Sequence, residues 1–209
     1  GSNPQAGGVY FPPAANGATP PYTVSTDLAS MYEQGPTTSN YGDLRYLMYF
    51  SKFVNGSTYL YNSIKATNNA TSGTKGFRLA EIYLNRAEAL IKRFIKDGND
   101  ADRVQALSDI NLLRINRYDT RNTPYVPVSI TNAQTLYSFY QNERRRELAL
   151  EEGHRWIDIK RWRLSVTHQY IAADGSSTTY TLPANSLLYA LPIPHTALAA
   201  NTELIQNPR

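Results

Sequence analysis

The sequence predicts a mainly α fold: helical pairs with long irregular loops and one or two short β-hairpins. Three observations carry this. Apolar residues recur at helical spacing through 77–95, 101–116 and 132–151. Stretches rich in Pro, Gly, Ser, Thr and Asn separate those segments. Asn55-Gly56 and Asp174-Gly175 each stand between β-prone runs, as hairpin turns do.

Residues 1–40 have few aliphatic side chains and the turn signals Pro12-Pro13 and Pro20-Pro21, so they are expected to be irregular. Ser25-Thr26-Asp27 offers a cap for one short helical turn through Leu28 and Tyr32. Leu44–Phe50 and Thr58–Tyr61 are aromatic-rich and read as strands, followed by a polar loop over 66–76.

Phe77 to Ile95 is the clearest helix, with Ala80, Tyr83, Leu84, Ala87, Leu90, Ile91 and Phe94 on one stripe. Lys96-Asp97-Gly98-Asn99 ends it. A second helix is expected from Ala101 to Asn116, with Val104, Leu107, Ile110 and Leu113 inward. Two antiparallel helices joined by a short loop resemble a tetratricopeptide-type pair, which normally stacks on neighbours. Tyr118–Thr131 is a Pro-broken loop. Thr131 or Asn132 caps a third helix running to Glu151, and His154–Arg163 follows after Gly153. Val166–Ile171 and Thr178–Leu182 form the second hairpin, and the tail through Pro192 and Pro194 reads as extended.

Composition narrows the function classes. No run approaches the roughly 18 apolar residues of a membrane-spanning helix. Cysteine is absent, which excludes disulfides, thiolate metal sites and a lipidated Cys within these residues. The net charge of +4 arises from interspersed signs, such as Arg144–Arg146 between Glu143 and Glu147, and this pattern marks helix faces rather than a nucleic-acid surface. Tyrosine, at 16 residues against 6 Phe and 2 Trp, supplies flat apolar faces with polar tips, suited to a wet binding surface.

Glu143–Trp162, ERRRELALEEGHRWIDIKRW, is the stretch richest in chemistry. Leu136, Tyr140, Glu143, Glu147 and Leu150 share one helical stripe, so two carboxylates fall on a face that should be buried. Buried carboxylates need partners. Arg144, Arg145, Arg146, Arg155 and Arg161 lie nearby in sequence, and Arg86 or Arg114 could reach in from other helices. The pattern fits either an active-site carboxylate pair or an internal ion network that fixes helix docking.

Other chemistry lacks a pattern. There is no Cys and no Gly-x-Ser-x-Gly elbow. His154, His168 and His195 lie far apart and form no zinc motif. His154 and Asp158, at i and i+4, allow either a carboxylate that orients the imidazole or a plain surface contact. Asp97, Asn99, Asp100 and Asp102 cluster oxygen ligands, but Ala101 and Ser108 break the EF-hand order. No metal, cofactor or catalytic residue is therefore expected. Loop aromatics remain: Tyr10, Phe11, Tyr22, Tyr32 and Tyr41, near Asn16, Asn40 and Asp43. Aromatic rings stack on sugar C–H faces while amides and carboxylates meet the hydroxyls, so these five are the candidate glycan contacts; packing of the loop onto the helices is the competing role.

Glu143, Arg144, Glu147, Leu148, Glu152, Gly153, Arg155, Asp158, Arg161 and Trp162 together resemble the signature near the C-terminus of SusD/RagB-family proteins. Arg78–Ala89, RLAEIYLNRAEA, is similar to a family helix, and Asp109–Arg114 to the next one, with Asn116-Arg117 where the family usually has R-x-R. Asp43-Leu44-Arg45 is similar to the D-x-R that precedes them. Leu191-Pro192-Ile193-Pro194 and Glu203–Pro208 resemble the closing tail, with Asn201-Thr202 in place of Asn-Pro.

The resemblance implies the C-terminal portion of an outer-membrane lipoprotein that faces the cell exterior. Such a protein binds extracellular glycan, or in some members peptide, without catalysis, and delivers it to a SusC-like TonB-dependent transporter. Its lipid anchor would lie outside this sequence. Glu143, Arg144, Glu147, Arg155 and Asp158 then carry over as a structural ion network. The expected organisation is a ligand-facing, loop-rich segment with short strands over 1–76, a tetratricopeptide-like helical core over 77–165, and a hairpin with an extended tail over 166–209, all in one compact domain. The alternatives are a helical scaffold or protein-interaction module with no sugar site, and a glycoside hydrolase using two of Glu143, Glu147, Glu151 and Glu152.

Overall fold

The computed structural model describes residues 23–55, 58–63, 65, 78–151, 153–172 and 176–209. Contacts divide the chain into two units, residues 1–152 and 153–209.

The first unit is centred on three helices: α3 (Leu79–Asp97), α4 (Asp100–Ile115) and α5 (Ala133–Glu147). Gly98, at φ +69, ends α3, and the Asn99 side chain accepts from the Ala101 N–H to start α4, so a tight antiparallel pair follows from local chemistry. Leu84, Ala87 and Ile91 of α3, Ala106 and Ile110 of α4, and Leu136 and Tyr140 of α5 are wholly buried. Each large aliphatic among them contributes about 1.5–3 kcal/mol by leaving water. Val104, expected inward, is exposed; Ala106 takes a core place instead, because the inward stripe of α4 runs through Ala106, Asp109, Ile110 and Leu113.

Ion pairs extend the α3–α4 seam: Arg86 grips Asp109 at 2.6 and 2.7 Å, and Arg93 grips Asp102. Of the oxygen cluster at 97–102, Asp102 is committed in this way, Asp100 is held by Arg103 and the Asn99 side chain caps α4. Across to α5, the Tyr140 hydroxyl donates to Glu88 at 2.9 Å.

Before these helices lie short elements. Helix α1 (Thr26–Ser30) is capped by Ser25, whose hydroxyl accepts from the Leu28 N–H. Strands β1 (Gln34–Thr37) and β2 (Asn40–Gly42) form a ribbon that the composition of 1–40 did not suggest. The run expected as a strand from Leu44 is instead the single-turn helix α2 (Arg45–Tyr49), and β3 (Phe50–Asn55) begins only at Phe50. Asp43 causes the change. Its carboxylate accepts from the Arg45 N–H and its carbonyl from the Tyr46 N–H, which starts a turn before any strand can form. Strand β4 (Thr58–Ser63) pairs with β3, Phe50 opposite Ser63 and Asn55 opposite Thr58. Tyr32, Val24 and Phe50 form a small aromatic core here, with Tyr32 and Phe50 edge-to-face at 5.2 Å.

Helix α5 ends at Glu147 rather than Glu151. Leu150 adopts φ 61. The Lys65 ammonium takes the carbonyls of Glu147 and Ala149 at 3.0 and 2.8 Å, satisfying groups that a longer helix would have used.

The second unit contains α6 (His154–Trp162), the antiparallel ribbon β5 (Val166–Ile171) and β6 (Ser177–Leu182), a 3-10 turn (Leu187–Tyr189) and α7 (His195–Ala200). The tail is thus not wholly extended. It folds back because the Gln206 amide bonds both the N–H and the carbonyl of Ile193, while Asn207 donates to the Leu191 carbonyl.

Candidate binding cleft

The carboxylates of α5 organise the first unit. Glu143 and Glu147 are fully buried. Arg45, only 2 % exposed, meets Glu143 at 2.8 Å, Glu147 at 3.0 Å and its near neighbour Asp43 at 2.7 Å. Glu143 is also bound by Arg114 at 2.7 Å and Arg146 at 2.8 Å; Glu147 by Arg117 at 2.8 Å and Arg78 at 3.5 Å. Glu151 pairs with Lys65 at 2.6 Å and Arg78 at 2.8 Å.

Burial alone would raise the Glu143 pKa, but Arg45, Arg146 and Arg114 outweigh it and hold it down to about 2. Glu147 is lowered as well: Arg117, Arg45 and Arg78 overcome its burial. Carboxylates so enclosed remain ionised and cannot shuttle protons near neutral pH.

Of the other residues read as a network, Arg144 donates to Asn85 at 2.9 Å. In the second unit Asp158 accepts from Arg161 at 2.7 Å, and Arg155 is half-buried on α6. Arg114 and Arg146 were legible as partners by proximity or helical placement. Arg45, Arg78 and Arg117 carried no such signal, although the D-x-R at Asp43–Arg45 and the Arg at 117 both fall within motifs that resemble the family.

Arg114 links this cluster to an open cleft of about 300 Å³ lined by Glu33, Asn40, Tyr118, Asp119, Thr123 and Tyr125, among others. Its three nitrogens donate to Glu143, to Glu33 at 3.0 Å and to the Tyr125 hydroxyl at 3.1 Å. Tyr118 and Phe139 flank its guanidinium, with ring centroids at 4.6 and 5.2 Å. Burial would raise the Glu33 pKa, but the adjacent Tyr118 hydroxyl and Arg114 charge lower it. The Tyr118 hydroxyl is itself buried, beside Glu33 but outside regular hydrogen-bond geometry.

Backbone contacts fix the walls. The Asp119 N–H donates to the Gly42 carbonyl, Leu44 to Arg117, and Asp43 to Glu33. Asn111 pins the far side of the loop, bonding Val128 through both N–H and carbonyl and accepting from the Tyr125 hydroxyl at 2.7 Å. Gly42, at φ +68, is required: a Cβ there would stand 2.3 Å from the Glu33 carbonyl.

At this end of the unit, Tyr41 as a residue is 37 % exposed, and Arg121 stacks on its ring at 5.2 Å. Arg121 also grips Asp119 with two bonds, and the Tyr41 N–H donates to the same carboxylate. Of the five aromatics expected to meet a ligand, Tyr41 is thus displayed. Tyr32 is a core residue, 2 % exposed, whose hydroxyl donates to the Arg146 carbonyl; the aromatic cluster around Phe50 claims its ring. Tyr10, Phe11 and Tyr22 lie outside the described residues. Glu33, Tyr118 and Thr123 gave no sequence signal, since only the folded chain brings them together.

Solved structures of other proteins share this fold. A SusD superfamily protein from Parabacteroides distasonis matches at 19 % identity and a TM-score of 0.61, over 96 % of this chain and 46 % of its own. A SusD-like carbohydrate binding protein from Bacteroides vulgatus matches at 20 % and 0.55, over 88 % and 41 %. A SusD-like protein from Bacteroides fragilis matches at 18 % and 0.54, over 90 % and 46 %. The chain spans less than half the length of each. Comparison with curated proteins finds no match. The SusD family model matches residues 9–209, and with the tetratricopeptide-like helical pair and the antiparallel ribbons in place, the chain belongs to the SusD family.

Proposed function

We propose that this chain binds extracellular glycan without catalysis, at the cleft between the β1–β2 ribbon and the 118–126 loop. It acts as part of a lipoprotein on the outer face of the outer membrane, handing oligosaccharide to a SusC-like TonB-dependent transporter. The cleft carries the reading. Carboxylate, amide and hydroxyl groups of Glu33, Gln34, Asn40 and Thr123 line it together with Tyr118 and Tyr125, and the exposed Tyr41 lies on β2 between the lining residues Asn40 and Gly42. Convergent polar groups near an aromatic face are the usual means of holding a sugar. The Bacteroides vulgatus relative, described as carbohydrate binding, supports the same class of ligand.

The absence of catalysis in this reading rests on the enclosure of Glu143, Glu147 and Glu151 by Arg and Lys, which leaves no carboxylate of that group free to act as acid or nucleophile. Titration of the chain against a glycan panel, followed by calorimetry and by product analysis, tests the proposal. Saturable binding with no reducing sugar released is the expected result. A flat response across the panel, or turnover lost on Glu147→Gln, refutes it.

A further inference from the structure

The charges around the cleft are unevenly available. Arg114, the cation in its lining, is 3 % exposed, and every one of its nitrogens already donates to a protein group. Asp119 is likewise buried and held by Arg121 and the Tyr41 N–H. Glu33 differs: its side chain is 57 % exposed, although one oxygen is paired with Arg114. Of the charged groups that line the cleft, Glu33 is therefore the one open to a ligand; Arg121, 61 % exposed, lies outside the lining with its guanidinium held by Asp119 through two bonds and stacked on Tyr41. Gln34, Asn40 and Thr123 add neutral groups able to donate or accept.

Resting on the glycan reading above, we infer that this cleft selects neutral, hydroxyl-rich sugars and rejects uronate and sulfated glycans, with Glu33 setting the discrimination. A sugar hydroxyl that donates to the Glu33 carboxylate forms a charge-assisted bond. A uronate or sulfate placed at Glu33 meets a like charge, while the lining cation Arg114 is enclosed and the exposed Arg121 is already neutralised by Asp119. The Arg114 pairing and the nearby Tyr118 hydroxyl keep Glu33 ionised at neutral pH, so the repulsion is present under ordinary conditions.

The test is calorimetry on the 209-residue chain. The probes are neutral hexasaccharides of glucose, xylose and mannose, a galacturonate hexamer and a sulfated chondroitin hexasaccharide. At least one neutral probe should bind, and the anionic probes at least about tenfold more weakly, the effect expected of one facing like charge at the surface. Thr123→Trp, which fills the cleft from an exposed position, should abolish the neutral binding. Glu33→Gln, which keeps an acceptor for Arg114, should narrow the gap to about threefold or less. In the unaltered chain the same gap should shrink at about 0.5 M salt, a readout that needs no variant.

Anionic probes that bind as tightly as neutral ones, and are blocked by Thr123→Trp, overturn the selectivity and leave glycan binding standing. A gap unmoved by both Glu33→Gln and salt overturns the role of Glu33. Failure of every probe to bind overturns this inference together with the glycan reading.

Discussion

Replacing Arg45 with Met removes one guanidinium from three carboxylates that are 0 % exposed and lie 2.7–3.0 Å from it. The losses are unequal. Glu143 retains Arg114 and Arg146, and Glu147 retains Arg117 and Arg78, but Asp43 loses the guanidinium that bonds both its oxygens. Removing one partner from a buried ion pair costs about 3–5 kcal/mol, a large share of the roughly 5–15 kcal/mol by which domains are stable.

The effect also has a pH signature. Burial works against the Glu143 charge, while the Arg45 guanidinium opposes it most strongly and helps hold the pKa down to about 2. A depressed carboxylate pKa gives stability that is fully present above the unfolded value near 4.5 and is lost as pH falls through the folded value. Without Arg45 that depression shrinks, so the deficit of Arg45→Met should be full at pH 7 and close below about pH 4.5. Urea denaturation followed by circular dichroism at pH 7, 5 and 3.5 measures it. A deficit under about 1 kcal/mol at pH 7, the scale of an exposed pair, refutes the buried-keystone argument. So does a deficit that is unchanged on acidification.

Three further outcomes follow from the same geometry. Gly42→Ala forces a Cβ against the Glu33 carbonyl at positive φ, and should cost about 1–3 kcal/mol in urea while weakening ligand binding; unchanged values for both would dissociate the ribbon from the cleft. Asn111→Ala removes the amide that pins Val128 and Tyr125, and should lose about 1–3 kcal/mol with faster hydrogen exchange over 118–128; protection unchanged there would show the loop is held by other means. Burial lowers the Lys65 pKa to about 8 despite Glu151, so the folded state carries fewer protons than the unfolded one between about pH 8 and 10.5. Stability from this group therefore rises across that window, and the wild type should gain on Lys65→Met as pH increases from 8; parallel profiles would argue against it.

What the sequence made legible was local. The pair α3 and α4 follows from helical spacing, a left-handed glycine and an Asn cap, all within 79–115. The strands β5 and β6 cover the two runs expected to pair, 166–171 and 178–182, while the expected turn at Asp174-Gly175 lies outside the described residues. The residues around Leu44 went astray because aromatic content argued for a strand while one Asp side chain imposed a turn. Helix α5 stops early through Lys65, which is 82 and 84 positions from the carbonyls it takes. The cleft is less legible still. Helical spacing identified Glu143 as buried, but Glu33 reaches Arg114 across 81 positions, and no pattern on either side announces that meeting. Burial and charge could be read from the chain, and so could Arg114 on the neighbouring helix; Arg45, Arg78 and Glu33, farther along the chain, could not.

The span between Arg45 and Glu147, 102 positions, also bears on the order of folding. The α3–α4 hairpin joins neighbours and closes at little entropic cost, whereas the arginine must cross half the chain to reach its carboxylates. An interaction formed so late is largely absent from the rate-limiting barrier. Arg45 then governs how long the native state persists rather than how quickly it is reached: its removal should speed unfolding and leave refolding nearly unchanged.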